Sequence, residues 1–368
     1  MDLITIGILK EKIDKALSET EIQAQINDRI YDGVDLTAKF ADEIAASPYN
    51  DDPWAWIKAR VQAGNYTGIH VRDWIPFTTT NNYTFNAQIA GINTYNRYGY
   101  QPMVADAVDF ITKEVWIDKH KFNPVRYNNG VVPVETITAD GETTEFILSK
   151  PMIAIDSIKR GSTTVTGYTY DAETYTVTFE TAPAAGTLTV TGTGSEFPWL
   201  ASDLYLWMNS LAGIVPNSSA ANPDIQRVDY TEGGIYYYLP DELKAVITEK
   251  YIYMPKRYSS SGLLDNDNGQ DYINVGKLWL PTEAEVSGAC AANNSLYASG
   301  GSVQYPIFAG NMNRIKDTVG TATRTSWWVS TSAGDSHEQG TVIMSRGYTT
   351  VSRADVTSVD VPICFRIA

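Results

Sequence analysis

Apolar residues recur at helical spacing near the start of the chain and at strand spacing over most of its remaining length. Leu9, Ile13 and Leu17 lie four residues apart. Ile22, Ile26 and Ile30 repeat that spacing behind Ser18 and Glu21, which fit a capping box. Leu36, Phe40 and Ile44 predict a further short helix after the Asp32-Gly33 turn, and Trp54 to Gln62 another after Pro53. Helices this short are not stable alone. Residues 1–63 are therefore expected to form an arm that lies on another surface, anchored through Leu9, Ile13, Leu17, Ile22 and Ile26 and helping the chain to self-associate.

Extended segments come next. Val71–Phe77 and Phe85–Ile92 read as a hairpin that continues into Val108–Trp116. From residue 127 to 196 β-branched and polar residues alternate, with turns at Asp140-Gly141, Gly161, Asp171 and Pro183–Gly186; this predicts a small all-β, immunoglobulin-like sandwich inserted into a host domain of residues 64–126 plus 197–368. The host resumes with a helix capped by Ser202 or Asp203, whose Leu204, Trp207, Met208 and Leu211 share a face. A second helix opens at Asp241 with Leu243, Val246 and Ile247 inward. A third has Thr282 and Glu285 in capping-box spacing. Segments around Trp327, Val342 and Phe365 predict closing strands.

Composition sharpens this picture. The chain has 368 residues, too many for one ordinary core. Only 19% are charged, so much of the surface is Ser, Thr, Asn, Gly and Tyr; the 23 tyrosines suit a binding surface as well as strands. A net charge of −15 disfavours nucleic acid and anionic membrane as partners. No apolar run approaches the ~18 residues of a membrane span, and "MDLITIGILKEK" does not read as a secretory signal. Cys290 and Cys364 are too few for a disulfide framework; two buried thiols or one bridge remain open.

The order "SDLYLWMN", "LPDELKAVI", a long polar loop, "LWLPTEAEV", "YPIF", the Trp327-Trp328 pair and the final "VPICFRIA" resembles a bacterial and phage domain family with a C-type-lectin-like fold, over about residues 197–368. The segment from Arg72 to Trp116 looks like the front half of the same family in phage structural genes. Two arginines usual in the family are replaced here, in Trp327–Thr331 and in Asp360-Val361-Pro362, which implies local repacking. The resemblance implies an α+β, C-type-lectin-like scaffold under variable loops. In relatives diversified by retroelements the ligand-facing residues lie between the Trp motif and the last strand. By that analogy the candidates are Trp328, Ser332, Asp335, His337, Arg346, Tyr348 and Arg353. Alternation adds two exposed aromatics: Trp328, opposite an inward Trp327, and one of Tyr236–Tyr238, for which Tyr237 is the candidate.

Candidate chemistry is sparse. Asp265, Asp267 and Asp271 are spaced to face one hard cation, so a Ca²⁺ site is possible there, but Gly269 falls at the fifth position and no Glu follows at the twelfth of a calcium loop. A solvated turn is the simpler reading, and no cofactor is expected. His70, His120 and His337 show no metal-ligand spacing. The pairs Glu283/Glu285 and Asp241/Glu242 open helices, where they offset the dipole. Formylglycine-generating enzymes share the resembled fold and use C-terminal cysteines, but Cys364 sits inside an apolar strand.

The expectation is a non-enzymatic phage virion surface protein, a homotrimer held to capsid or tail proteins by its arm and displaying a domain that attaches to a host-surface or mucosal glycan or protein. The alternatives are a decoration protein that binds only virion partners, and an oxidase or glycan hydrolase.

Overall fold

A computed structural model describes residues 31–95, 105–219, 224–256, 270–289, 303–333 and 336–368. The protein is mixed α+β, with many short strands and few helices. The five predicted anchoring residues, Leu9 to Ile26, lie outside the described residues.

The chain enters through α1 (Leu36–Lys39), α2 (Ala41–Ala45) and α3 (Pro53–Gln62). Asp35 caps α1 by accepting from Thr37 N, and Asp52 caps α3 by accepting from Trp54 N and Ala55 N. These helices belong to the main core: Leu36, Ile44, Trp54, Trp56, Ile57 and Val61 are buried in it. Residues 31–63 thus do not stand apart from the host. Buried Asp73 ties them down, accepting from Tyr31 Oη, Val34 N at 3.0 Å and His70 N at 2.9 Å.

The predicted hairpin and its continuation are present as β1 (Trp74–Thr78), β2 (Thr84–Ile92) and β3 (Val108–Val115), all antiparallel. The inserted segment folds as β4 (Val134–Ala139), β5 (Glu145–Ile147), β6 (Ile155–Arg160), β7 (Thr163–Val165), β8 (Tyr168–Asp171), β9 (Thr176–Phe179) and β10 (Gly186–Gly192). Its sheets run β4-β10-β6-β7 and β5-β9-β8. Ile137, Ile158, Leu188 and Val190 of one and Val177 and Phe179 of the other enclose a core separate from the host's. The strands leaving and re-entering the host cross at Gly130 and Gly194. A Cβ on Gly194 would lie 2.1 Å from the Val131 carbonyl oxygen, which only glycine avoids.

The host continues with α4 (Asp203–Asn209), β11 (Ala212–Pro216), β12 (Ile225–Asp229), α5 (Ile235–Tyr238), α6 (Asp241–Lys244), β13 (Tyr251–Pro255), β14 (Gln270–Asn274), β15 (Leu278–Trp279) and α7 (Glu283–Ser287). It closes with β16 (Lys316–Thr318), β17 (Arg324–Thr325), β18 (Trp327–Ser332), β19 (Gln339–Ile343), β20 (Thr349–Arg353) and β21 (Pro362–Ile367). Ser202 is the α4 cap, accepting from Tyr205 N. Ser210 turns left-handed at φ 54° and ends that helix, so Leu211 leaves the shared apolar face and is exposed. The second predicted helix is a single turn, although Leu243, Val246 and Ile247 are buried as expected. The third carries the full Thr282–Glu285 capping box.

Strand β3 is the hub of the main sheet: it pairs with β2, with β21, and in parallel with β16. All six residues of β21 are buried, so Cys364 and its neighbours face opposite ways into covered layers. Asp360, which precedes Val361 at the position where the resembled family has arginine, is itself a bridge. It accepts from Thr325 Oγ1 and lies 3.4 Å from Lys119 Nζ, and its backbone joins Ser326 and Trp328.

Candidate functional site

Among the described residues a cleft of about 330 Å³ lies where α3, β1 and α6 meet, within the range of ligand sites. Its walls follow from local sequence. Between α2 and α3 the chain makes a tight turn with Asn50 at φ 49° and Asp51 at φ 71°, a left-handed conformation that Asn and Asp tolerate. Asp51 N donates to Ile44 O and Asp52 N to Tyr49 O, at 2.9 and 3.0 Å, which fixes the turn. The turn projects the exposed Asp51; Pro53 and Trp54 come after it, with Trp54 set edge-on against Phe77, Phe110 and Phe365. Pro76 and Thr78 of β1 and Pro240 and Glu242 at the start of α6 complete the rim. Thr80 N donates to Tyr238 O at 2.9 Å, tying the β1–β2 turn to α5.

Tyr237 comes three positions before Pro240. It is 45% exposed, as expected of one of the three tyrosines. The reason differs from the expected alternation, because Ile235–Tyr238 is a helical turn and not a strand.

A second polar constellation is sealed inside the host. Lys250 and Glu285 are both fully buried, with Nζ 2.6 Å from Oε1. The ammonium also faces the rings of Trp279 at 3.6 Å, Tyr305 at 4.8 Å and Tyr95 at 5.2 Å. Tyr95 Oη donates to Glu285 Oε1, and Glu285 Oε2 accepts from Thr282 N at 2.7 Å. Tyr305 Oη donates to Asp109 Oδ2 at 3.0 Å, and Arg366 Nη1 lies 3.4 Å from the same oxygen. Burial pushes both tyrosines well above their usual range, with Glu285 and Asp109 adding to it, so they stay protonated as donors. Glu283 and Glu285 are therefore more than exposed acids against a dipole. Glu285 is the acidic partner of a core ion pair and is fully buried.

Lys316 is likewise buried. It donates to Thr112 O, and burial brings its pKa down to about 8. Burial pushes the Cys364 thiol up, so it is no thiolate nucleophile. Cys290 lies outside the described residues, as do Asp265 and Asp267 and the side chain of Asp271. Among the described residues no group of three or more His, Cys, Asp or Glu side chains forms a metal site, and no helix is long and apolar enough to cross a membrane.

The candidates near the C-terminus are not gathered into one patch. Trp328 and Ser332 are fully buried, which corrects the expectation that Trp328 is exposed. Alternation does point the two tryptophans oppositely, but both faces of β18 are covered. Trp327 packs on Phe308 and donates to Arg314 O; Trp328 packs on Phe122 and donates to His120 O. Arg346 and Tyr348 are exposed in the turn before β20, whereas Arg353 ends that strand, roughly 16 Å further along at strand rise. Arg353 is held by a two-pronged bond to Asp355 at 2.9 and 2.6 Å. His337 is half-buried against Tyr127, and Asp335 lies outside the described residues.

Sequence reading also missed a histidine–carboxylate pair. His120 Nε2 is 2.9 Å from Asp203 Oδ2, its ring stacks on Trp207 at 4.3 Å, and Tyr230 Oη donates to Asp203 Oδ1 at 2.7 Å. It straps the segment leading into the sandwich onto α4. The residues lie 83 positions apart, so no spacing could announce them.

Comparisons with protein-family models, curated proteins and solved structures find no match.

Proposed function

We propose that the chain is a non-enzymatic bacteriophage virion surface protein whose C-type-lectin-like host domain, with its inserted sandwich, attaches to a host-surface or mucosal glycan or protein. Its structural partners are capsid or tail proteins and further copies of itself, as a trimer. The motif order from Asp203 to Ala368 supports the lectin-like reading. The observation that carries the binding reading is where the chemistry sits. The strongest ionisable groups, Lys250, Glu285, Asp109, Arg366 and Lys316, are sealed in the core. Exposed groups include Tyr237 on the α5 turn, Arg346 and Tyr348 in the turn before β20, and Asp51 and Glu242 at the open cleft. A scaffold with buried charge networks and polar, aromatic loops suits recognition without turnover.

Two measurements test this. Antibody labelling of intact particles should decorate the virion surface, and labelled full-length chain should bind host cells saturably. Labelling without cell binding would leave a decoration protein that touches only virion partners. Turnover of a glycan, in place of its retention, would overturn the non-enzymatic reading.

A further inference from the structure

We infer that Asn129 is a site of spontaneous deamidation, and that its conversion loosens the stem through which the sandwich joins the host. This goes beyond the attachment reading and does not depend on it. Asn129 precedes Gly130, and an asparagine followed by glycine is the dipeptide most open to this reaction, because no Cβ screens the attacking backbone nitrogen. The fold demands that glycine: a Cβ on Gly130 would lie 2.5 Å from the Glu196 carbonyl oxygen. Asx-Gly steps also occur at Asp32, Asp140 and Asn268, the last outside the described residues.

Geometry singles out Asn129. Gly130 N lies 2.9 Å from Asn129 Oδ1, so the nucleophile sits beside the carbonyl carbon it must attack. Asn129 Nδ2, the leaving group, makes no hydrogen bond among the described residues. Its neighbours are pinned by theirs: Asn123 Nδ2 donates to Tyr127 O at 2.7 Å and Asn128 Nδ2 to Gln339 O at 3.1 Å. At Asp140 the carboxylate accepts from Glu142 N and Thr143 N at 2.8 and 2.7 Å, which keeps it ionised and a poor electrophile. At Asn129, base removes the Gly130 amide proton, the N–Cγ bond forms and the Cγ–Nδ2 bond breaks, with the nitrogen leaving as ammonia. Water then opens the five-membered succinimide at either carbonyl, giving aspartate or isoaspartate. One water is consumed and one ammonia released, with no change in oxidation state. Both flanks are fixed: Asn128 is tied to His337 O and Gln339 O, and Val131 exchanges backbone bonds with Ser195 at 2.7 and 2.9 Å. Isoaspartate adds a methylene to the main chain between them. Either product puts a carboxylate at a position only 6% exposed, which costs free energy unless the charge is paired.

The test uses the full chain with Asn268→Gln, which removes the other Asn-Gly step. The folded chain is held for weeks at mildly alkaline pH beside a synthetic peptide of residues 125–133. Peptide mapping should find residue 129 about 1 Da heavier, with isoaspartate detected by methyltransferase labelling, at a rate within about tenfold of the peptide's. In converted chains, amide hydrogen exchange at Val131 and Ser195 should speed at least about tenfold while β2 and β3 stay protected. The inference is overturned if residue 129 keeps its amide while the peptide converts, or converts only after unfolding in urea. Unchanged exchange at Val131 and Ser195 in converted chains would overturn the loosening, and so would exchange that speeds equally in β2 and β3, because the host would then be destabilised as a whole.

Discussion

The Lys250–Glu285 pair allows a worked prediction. Both side chains are fully buried, 2.6 Å apart, with the ammonium 3.6 Å from the Trp279 ring. Lys250→Met keeps the stem volume, so no cavity term arises. It strands a buried carboxylate, for which breaking such a pair costs about 3–5 kcal/mol. Glu285 keeps two donors, Thr282 N and Tyr95 Oη, which holds the expected loss near the lower end, about 3 kcal/mol. Glu285→Gln preserves the capping box but leaves an ammonium facing only aromatic rings, again about 3 kcal/mol. The double variant buries no charge and should fall only ~1–2 kcal/mol below wild type, a coupling of at least about 4 kcal/mol between the two sites. Urea unfolding followed by tryptophan fluorescence reads this out. All nine tryptophans lie outside residues 127–196, so the signal reports on the host and is blind to the sandwich. Single variants within ~0.5 kcal/mol of wild type, or additive losses in the double variant, would refute a coupled core pair.

Two further predictions concern buried groups. Lys316 has a pKa lowered from 10.5 to about 8. In the window between these values the unfolded chain binds the extra proton, so stability rises with pH from 8 to 10.5. The buried charge thus destabilises the fold below pH 8, and Lys316→Met should stabilise the host by about 2–3 kcal/mol at pH 7, a gain that fades as pH approaches 10.5; urea midpoints across that range check it. Trp328→Ala should cost about 3–5 kcal/mol on the same fluorescence assay, whereas a surface ligand contact would lose binding at unchanged stability.

Much of the architecture was legible because it is local. The period-two alternation of residues 127–196 sets a strand's two faces, and with its turn residues it marks out the sandwich. Thr282 and Glu285, three apart, meet as a capping box because helix geometry brings them together whatever surrounds them. Ser210 escaped notice because nothing in its side chain demands a left-handed backbone; the turn into β11 imposes it.

Burial and long-range pairing were not legible. Alternation correctly opposed Trp327 and Trp328, but whether a second layer covers the outer face depends on residues 117–123 and 308–314 folding back over β18. Lys250 and Glu285 are 35 positions apart, and His120 and Asp203 are 83 apart; such charges read as solvated until packing removes the water. The cleft, too, joins a turn at residue 51, a strand at 76 and a helix start at 240 that share no sequence pattern. A chain records in its own periodicity which way each side chain points. What lies opposite is decided only when distant segments close over it, because shielding from solvent belongs to the assembled layers and not to any one of them.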